Sequence, residues 1–272
     1  MCLSSIRHLP DTAGFCHRFV LYYLVITLLN GGLKLKRIYR KELWQRIGTA
    51  NEDFRLVEEG DHIALGLSGG KDSTTLLYVM TEWQKFSPVE FKITAITLDM
   101  GWEADFTPLI RYCEELKVPC HIEPTKIGPI VFETRREANP CSLCAKLRRG
   151  TLHNLAKSMG CNKVALGHHL DDALETLLMA MSFESRIKTF KPRTYLDRKD
   201  ITLIRPMIYV EENTLNKIVK RFKLPVIPNP CPANGHTRRQ DMKDVIGFWG
   251  KFNPRLRENL LGALRNSSLW PR

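Results

Sequence analysis

Three groups of residues in this 272-residue chain are of types and spacings that could do chemistry. The first is Ser68-Gly69-Gly70-Lys71-Asp72-Ser73. Paired glycines let a backbone turn at positive φ and approach a ligand closely. At a helix start, free N–H groups and the helix dipole favour phosphate. Lys71 adds a full charge, and Ser68 and Ser73 add hydroxyl donors. The second group is Gly167-His168-His169-Leu170-Asp171-Asp172. It offers imidazoles and paired carboxylates that could bind Mg²⁺ or assist proton transfer. Asp171 also reads as a helix N-cap, and both roles can hold. The third group is thiols: Cys141 and Cys144 in a C-x-x-C spacing, with Cys231 further on.

The elements that must position these groups follow from periodicity. His62 to Leu67 is an apolar run, read as a buried strand that ends at the glycines. Thr74 to Met80 continues as a helix with one apolar face. Ile93 to Leu98 is a β-branched run and the second strand. Ligands of open α/β sheets sit beyond the carboxyl ends of strands, so Asp99 and Met100 are placed to meet a nucleoside. Residues 106–116 form a helix with Pro108 in its first turn, where proline is tolerated. A short strand at Cys120 to Glu123 follows. The C-x-x-C opens a helix through Met159, strand Lys163 to Gly167 leads into the His-Asp run, and a helix continues to Met181. Residues 184–210 read as less regular. Helices at 211–222, from Thr237, and at 253–264 complete the chain. Alternating strands and helices predict an α/β fold, an open parallel sheet with helices on both faces.

The helix beginning near Thr237 has a basic first turn. That opposes the helix dipole and points to an anionic partner. A basic amphipathic helix is read over residues 34–47, ended by Gly48 and Asn51, with a short second helix through Phe54 and Leu56. Residues 1–33 look like an extension outside the core. Its eleven-residue apolar run is too short to span a bilayer. It matches a signal-peptide core in length, but secretion would strand an ATP-using protein. The expected organisation is thus extension 1–33, basic segment 34–60, catalytic domain 61–265 and tail 266–272.

The net charge of +12 fits a polyanionic partner, nucleic acid above all. Eight cysteines in a chain large enough to bury a core fit reduced thiols in the cytoplasm better than a disulfide framework. Cys113, Cys120 and Cys161 lie in apolar patterns and read as core thiols. For Cys141, Cys144 and Cys231 three chemistries are open. A redox pair needs no third cysteine. A structural zinc site wants four ligands, which His236 could complete. An iron–sulfur cluster held by three cysteines would leave one iron open to an exogenous sulfur or substrate.

The phosphate-loop spacing differs from the Walker loop. It resembles the pyrophosphate loop of the ATP-pyrophosphatase (PP-loop) enzymes, of the adenine nucleotide alpha hydrolase-like fold. Taken in order, Ser68–Ser73, Cys141 and Cys144, the run Gly167–Thr176 and Cys231 resemble the tRNA 2-thiocytidine synthetase family over about residues 34–265. The resemblance implies an ATP- and Mg²⁺-dependent tRNA sulfurtransferase. It would adenylate a cytidine carbonyl at position 32 in the anticodon loop and replace oxygen with sulfur held on a 4Fe-4S cluster. It implies cluster ligation by Cys141, Cys144 and Cys231, and phosphate binding by Ser68, Gly69, Gly70, Lys71, Asp72 and Ser73. It places Asp99, Met100 and His168 at the nucleoside, and Asp171, Asp172 and Arg148 beside the reacting phosphate. Expected partners are tRNA and a sulfur donor such as a cysteine desulfurase, with no membrane; a homodimer is a family expectation only. Related thiolases carry extra paired-cysteine zinc modules that this sequence lacks. Around Cys231 it has one cysteine where some family members have two. The rival readings are a lysidine-type PP-loop ligase without a cluster and a zinc-containing RNA-binding protein that uses nucleotide as a switch.

Overall fold

The computed structural model describes residues 39–135, 140–228, 230–232 and 238–271. The expected extension at 1–33 and the candidate ligand His236 lie outside the described residues. The centre is a six-stranded sheet of order β3-β2-β1-β4-β6-β5. Its strands are β1 (His62–Gly66), β2 (Lys92–Asp99), β3 (Cys120–Pro124), β4 (Lys163–Ala165), β5 (Arg193–Leu196) and β6 (Ile201–Ile204). All neighbours pair in parallel except β5, which runs antiparallel to β6 at one edge. The fold is therefore α/β as expected, and the sheet is mostly rather than wholly parallel.

The pleat sorts side chains to opposite faces with period two. In β1, Ile63 and Leu65 join the larger core, with Leu76, Leu77 and Trp83 of helix α2 (Lys71–Gln84). Ala64 faces the other way, to Leu152 and Ala156 of helix α4 (Pro140–Ser158) and to Val164. Helices thus cover both faces, and β1 reads as a continuous apolar run because both its faces are buried. Leu76, Leu77 and Trp83 are all 0% exposed, and burying such a side chain contributes about 1.5–3 kcal/mol.

The other helices of nine or more residues are α1 (Gln45–Phe54), entered through a π-helical turn at Tyr39–Trp44, α3 (Thr107–Glu115), α5 (Leu170–Phe183), α6 (Glu212–Phe222), α7 (Arg238–Phe252) and α8 (Leu256–Arg265). One reading of the sequence needs correction. Gly48 does not end the N-terminal helix; it is buried within α1, which runs on to Phe54. Arg46, on the segment read as a basic amphipathic helix, pairs within the chain with Glu211 and Glu258 at 3.9 and 3.7 Å. Among the described residues, no helix is long and apolar enough to cross a membrane.

Candidate active site

The chain leaves β1 in one direction to build β2 and β3, and crosses to the other side for β4. The carboxyl ends of β1 and β4 therefore flank the point where strand order reverses, the place where open α/β sheets bind ligands. Ser68–Ser73 follows β1, and His168–Asp172 follows β4. A Cβ on Gly167 would lie 3.0 Å from the Asp72 carbonyl carbon and 3.1 Å from Ser73 N, so only glycine lets the two loops approach so closely.

The phosphate loop is preorganised by its own hydroxyls. Ser73 Oγ accepts from Ser68 N at 3.1 Å, lies 3.1 Å from Ser68 Oγ and donates to Gly70 O at 3.0 Å. Gly69 takes φ +80°, and Gly70 sits extended at the N-cap of α2. Gly70 receives no side-chain cap, which leaves the helix N-terminus without the side-chain oxygen that usually satisfies it. Lys71 Nζ lies 2.6 Å from Asp72 Oδ1 and 3.0 Å from Glu212 Oε1. Burial pulls the Lys71 pKa down, but these two carboxylates outweigh it and hold the ammonium above its usual range. Burial likewise raises Glu212, yet Lys243 and Lys71 bring it down to about 2.

The His-Asp run divides its work. Asp172 Oδ2 accepts from His169 N at 3.0 Å, satisfying the start of α5, while its Oδ1 accepts from Arg239 Nη1 at 2.7 Å. Asp171 does not cap its own helix. It is 4% exposed, accepts from Glu212 N at 2.8 Å at the start of α6, and takes Arg257 Nε of α8 at 2.7 Å. Asp171 thus ties three helices together, and Asp172 is the member that faces the phosphate side. His169 Nε2 lies between Asp72 and Asp172, at 3.7 and 3.4 Å, and its buried Nδ1 has no hydrogen-bond partner. His168 accepts at Nδ1 from Arg205 Nε at 3.3 Å and lies against Phe190. Burial, reinforced by Arg205, lowers its pKa to about 4, so it is neutral at physiological pH. Glu175 is raised to about 7 by burial and by Asp172. Asp72 pairs with Lys71, whereas Asp172 and Glu175 both face Arg239, at 2.7 and 3.8 Å; carboxylate oxygens are the kind of ligand Mg²⁺ takes.

Asp99 ends β2, where its Oδ1 accepts from Gly101 N at 2.8 Å. Met100 packs in a small apolar cluster with Ile127, Val131 and Cys144. Cys141 and Cys144 lie one turn apart at the start of α4, the first exposed and the second buried; Cys231 is half-buried. Burial pushes the Cys144 thiol up and Arg148 pulls it down, while Cys231 and Cys141 lie near enough for their charges to raise it further. Arg148, expected beside the reacting phosphate, lies near enough to Cys144 for its charge to act on that thiol. Among the described residues no three His, Cys, Asp or Glu side chains are already arranged around a metal position. The donors nevertheless fit an iron–sulfur cluster in kind: three neighbouring thiols next to a basic side chain that favours thiolate.

Several residues here carried no sequence signal of their own. Glu212, Arg205 and Arg257 join the site only through tertiary contact, whereas Glu175 lies within the run Gly167–Thr176. Arg239 was visible as part of a basic helix start, and the anion that it meets is Asp172 of this chain.

Residues 40–243 match the family model described as PP-loop domain. The chain is 37% identical over 245 residues to the tRNA-cytidine(32) 2-sulfurtransferase of Pelobacter propionicus, covering 89% of this chain and 91% of that one. It is 39% identical over 236 residues to the protein of the same name from Geobacter sulfurreducens, with 85% and 92% covered. Among solved structures, the U34-tRNA thiolase NcsA from Methanococcus maripaludis, with its 4Fe-4S cluster, superposes with TM-score 0.67 at 21% identity over 80% of this chain and 76% of that one; it is similar in fold. By sequence along most of its length, this chain belongs to the PP-loop family and, within it, to the tRNA-cytidine(32) 2-sulfurtransferases, a family of enzymes.

Proposed function

We propose that this chain is an ATP-dependent tRNA sulfurtransferase that converts cytidine 32 of the anticodon loop to 2-thiocytidine. The observation that supports the reading is the sequence kinship with the tRNA-cytidine(32) 2-sulfurtransferases, in a chain that also carries a phosphate loop at the β1/β4 crevice and the thiols of Cys141, Cys144 and Cys231. Backbone N–H groups of Gly69–Lys71 and the Lys71 ammonium would hold the ATP phosphates. Asp99, Met100 and neutral His168 would border the nucleoside. Asp72, Asp172 and Glu175 would hold Mg²⁺.

The cytidine O2 attacks the α-phosphorus, the bond to the bridging oxygen breaks, and pyrophosphate leaves. A urea-like carbonyl is a poor electrophile; with its oxygen on phosphorus, AMP becomes the leaving group. Sulfur then bonds C2 as the C2–O bond breaks. A 4Fe-4S cluster on Cys141, Cys144 and Cys231 would supply an iron without a protein ligand, on which sulfur can be carried. Arg148 would lie beside the Cys144 sulfur and partly offset the burial that raises its pKa. A donor such as a cysteine desulfurase would replenish the sulfur, with a two-electron reductant bringing its persulfide sulfur to the sulfide level, in the cytoplasm, and the enzyme would act as a homodimer.

Anaerobic purification with iron and sulfide analysis tests this. The reading requires about four iron and four sulfide per chain, with near-visible absorption and thiolation both lost in Cys231→Ala. A protein that releases pyrophosphate with tRNA but holds zinc or no metal would contradict it.

A further inference from the structure

The loop between α6 and Cys231 lies across the phosphate loop. Ile227 N donates to Gly69 O at 3.0 Å. The Ile227 side chain fills the space beside Gly69: a Cβ there would lie 2.3 Å from Ile227 Cγ1 and 2.6 Å from its Cδ1. Gly69 is therefore glycine twice over, for its φ of +80° and for this contact. The loop is rooted on the same helix as the phosphate site. At the start of α6, Glu212 meets Lys71, and at its end Phe222 stacks on Tyr78 of α2 at 4.6 Å. Cys231 follows Ile227 by four residues, in a stretch where Pro228, Pro230 and Pro232 restrict the backbone. Cys231 in turn lies near enough to Cys144 for its charge to act on that thiol.

We infer that Ile227 is a positioning residue that couples ATP occupancy of the phosphate loop to the placement of Cys231. The inference rests on the proposed function, since it takes the loop to bind ATP. A phosphate that fixes the loop N–H groups also fixes the Gly69 carbonyl and the surface against which Ile227 sits. The proline-stiffened segment passes that constraint to Cys231. Such coupling is reciprocal: whatever fixes Cys231 favours the ATP-binding form of the loop. ATP and the thiol set would thus be ready together.

The test needs no loaded cluster. Alkylation of each cysteine in the full-length, reduced, iron-free chain is followed by mass spectrometry, with and without a non-hydrolysable ATP analogue and Mg²⁺, while calorimetry reports nucleotide binding. Cys120, at the amino end of β3 and far from the site, is the internal control. The nucleotide should slow Cys231 alkylation by at least about fivefold, the lower end of site-to-site coupling, and leave Cys120 unchanged. In Ile227→Ala the protection should shrink to less than about twofold and nucleotide should bind more weakly, whereas Ile227→Val should behave as the parent. Nucleotide that binds without changing Cys231, or protection that survives in Ile227→Ala, would overturn the coupling alone. No nucleotide binding to the parent chain would overturn the proposed function and the coupling with it.

Discussion

Asp171 and Asp172 are adjacent and identical in type, yet the contacts give them different tasks. Asp171 is buried between a helix N–H and Arg257. Asp171→Asn keeps the volume but loses the charge, and a hydrogen bond to a charged group contributes about 1.5–3 kcal/mol. Urea denaturation should show a loss of about 2 kcal/mol. Asp172→Asn loses the charge that meets Arg239 and should also cost about 1–2 kcal/mol, but pyrophosphate release from the folded variant should fall about a hundredfold, in line with other charged catalytic groups. His168 gives a pH signature. Its folded pKa, about 4, is below its unfolded value. The unfolded chain therefore takes up a proton first as pH falls. Stability is complete above about pH 6.5 and declines toward pH 4, by up to about 3 kcal/mol from this group. His168→Gln, which keeps an acceptor for Arg205 but does not titrate, should flatten that acid limb in denaturation midpoints measured from pH 7 to 4.

At the scale of elements, glycine sets how closely the two site loops approach. Gly167→Ala would force a methyl to within 3.0 Å of the Asp72 backbone at the head of α2. Overpacking of this kind costs about 1–3 kcal/mol; a lowered melting temperature should be accompanied by weaker ATP binding, because the shift falls on the phosphate loop. Much of this architecture was legible from sequence. β1 and β2 are long apolar runs, and the Gly-Gly and Gly-His-His breaks mark where they hand over to helices. The four-residue strands β5 and β6 were not, because they are too short for a period to emerge and are held by pairing to β4 and to each other. Gly48 misled for the opposite reason: tertiary burial overrides its low helix propensity. The site was legible as a set of loops, but its wiring was not. Nothing local predicts that Glu212 meets Lys71, that Asp171 caps α6, or that Ile227 rests on Gly69.

For the whole molecule, the charge of +12 and the family both point to an RNA substrate. If about six phosphates are contacted, tRNA affinity should fall by on the order of 10³-fold between 50 and 200 mM salt, as filter binding across a salt series would show. The measurement that bears most directly on the central claim is mass spectrometry of tRNA nucleosides from a strain lacking this gene, with and without the gene restored. The account predicts that 2-thiocytidine disappears on deletion, returns with the parent gene, and does not return with Lys71→Ala or Cys231→Ala. Unchanged 2-thiocytidine in the deletion strain, or its recovery with Cys231→Ala, would contradict it.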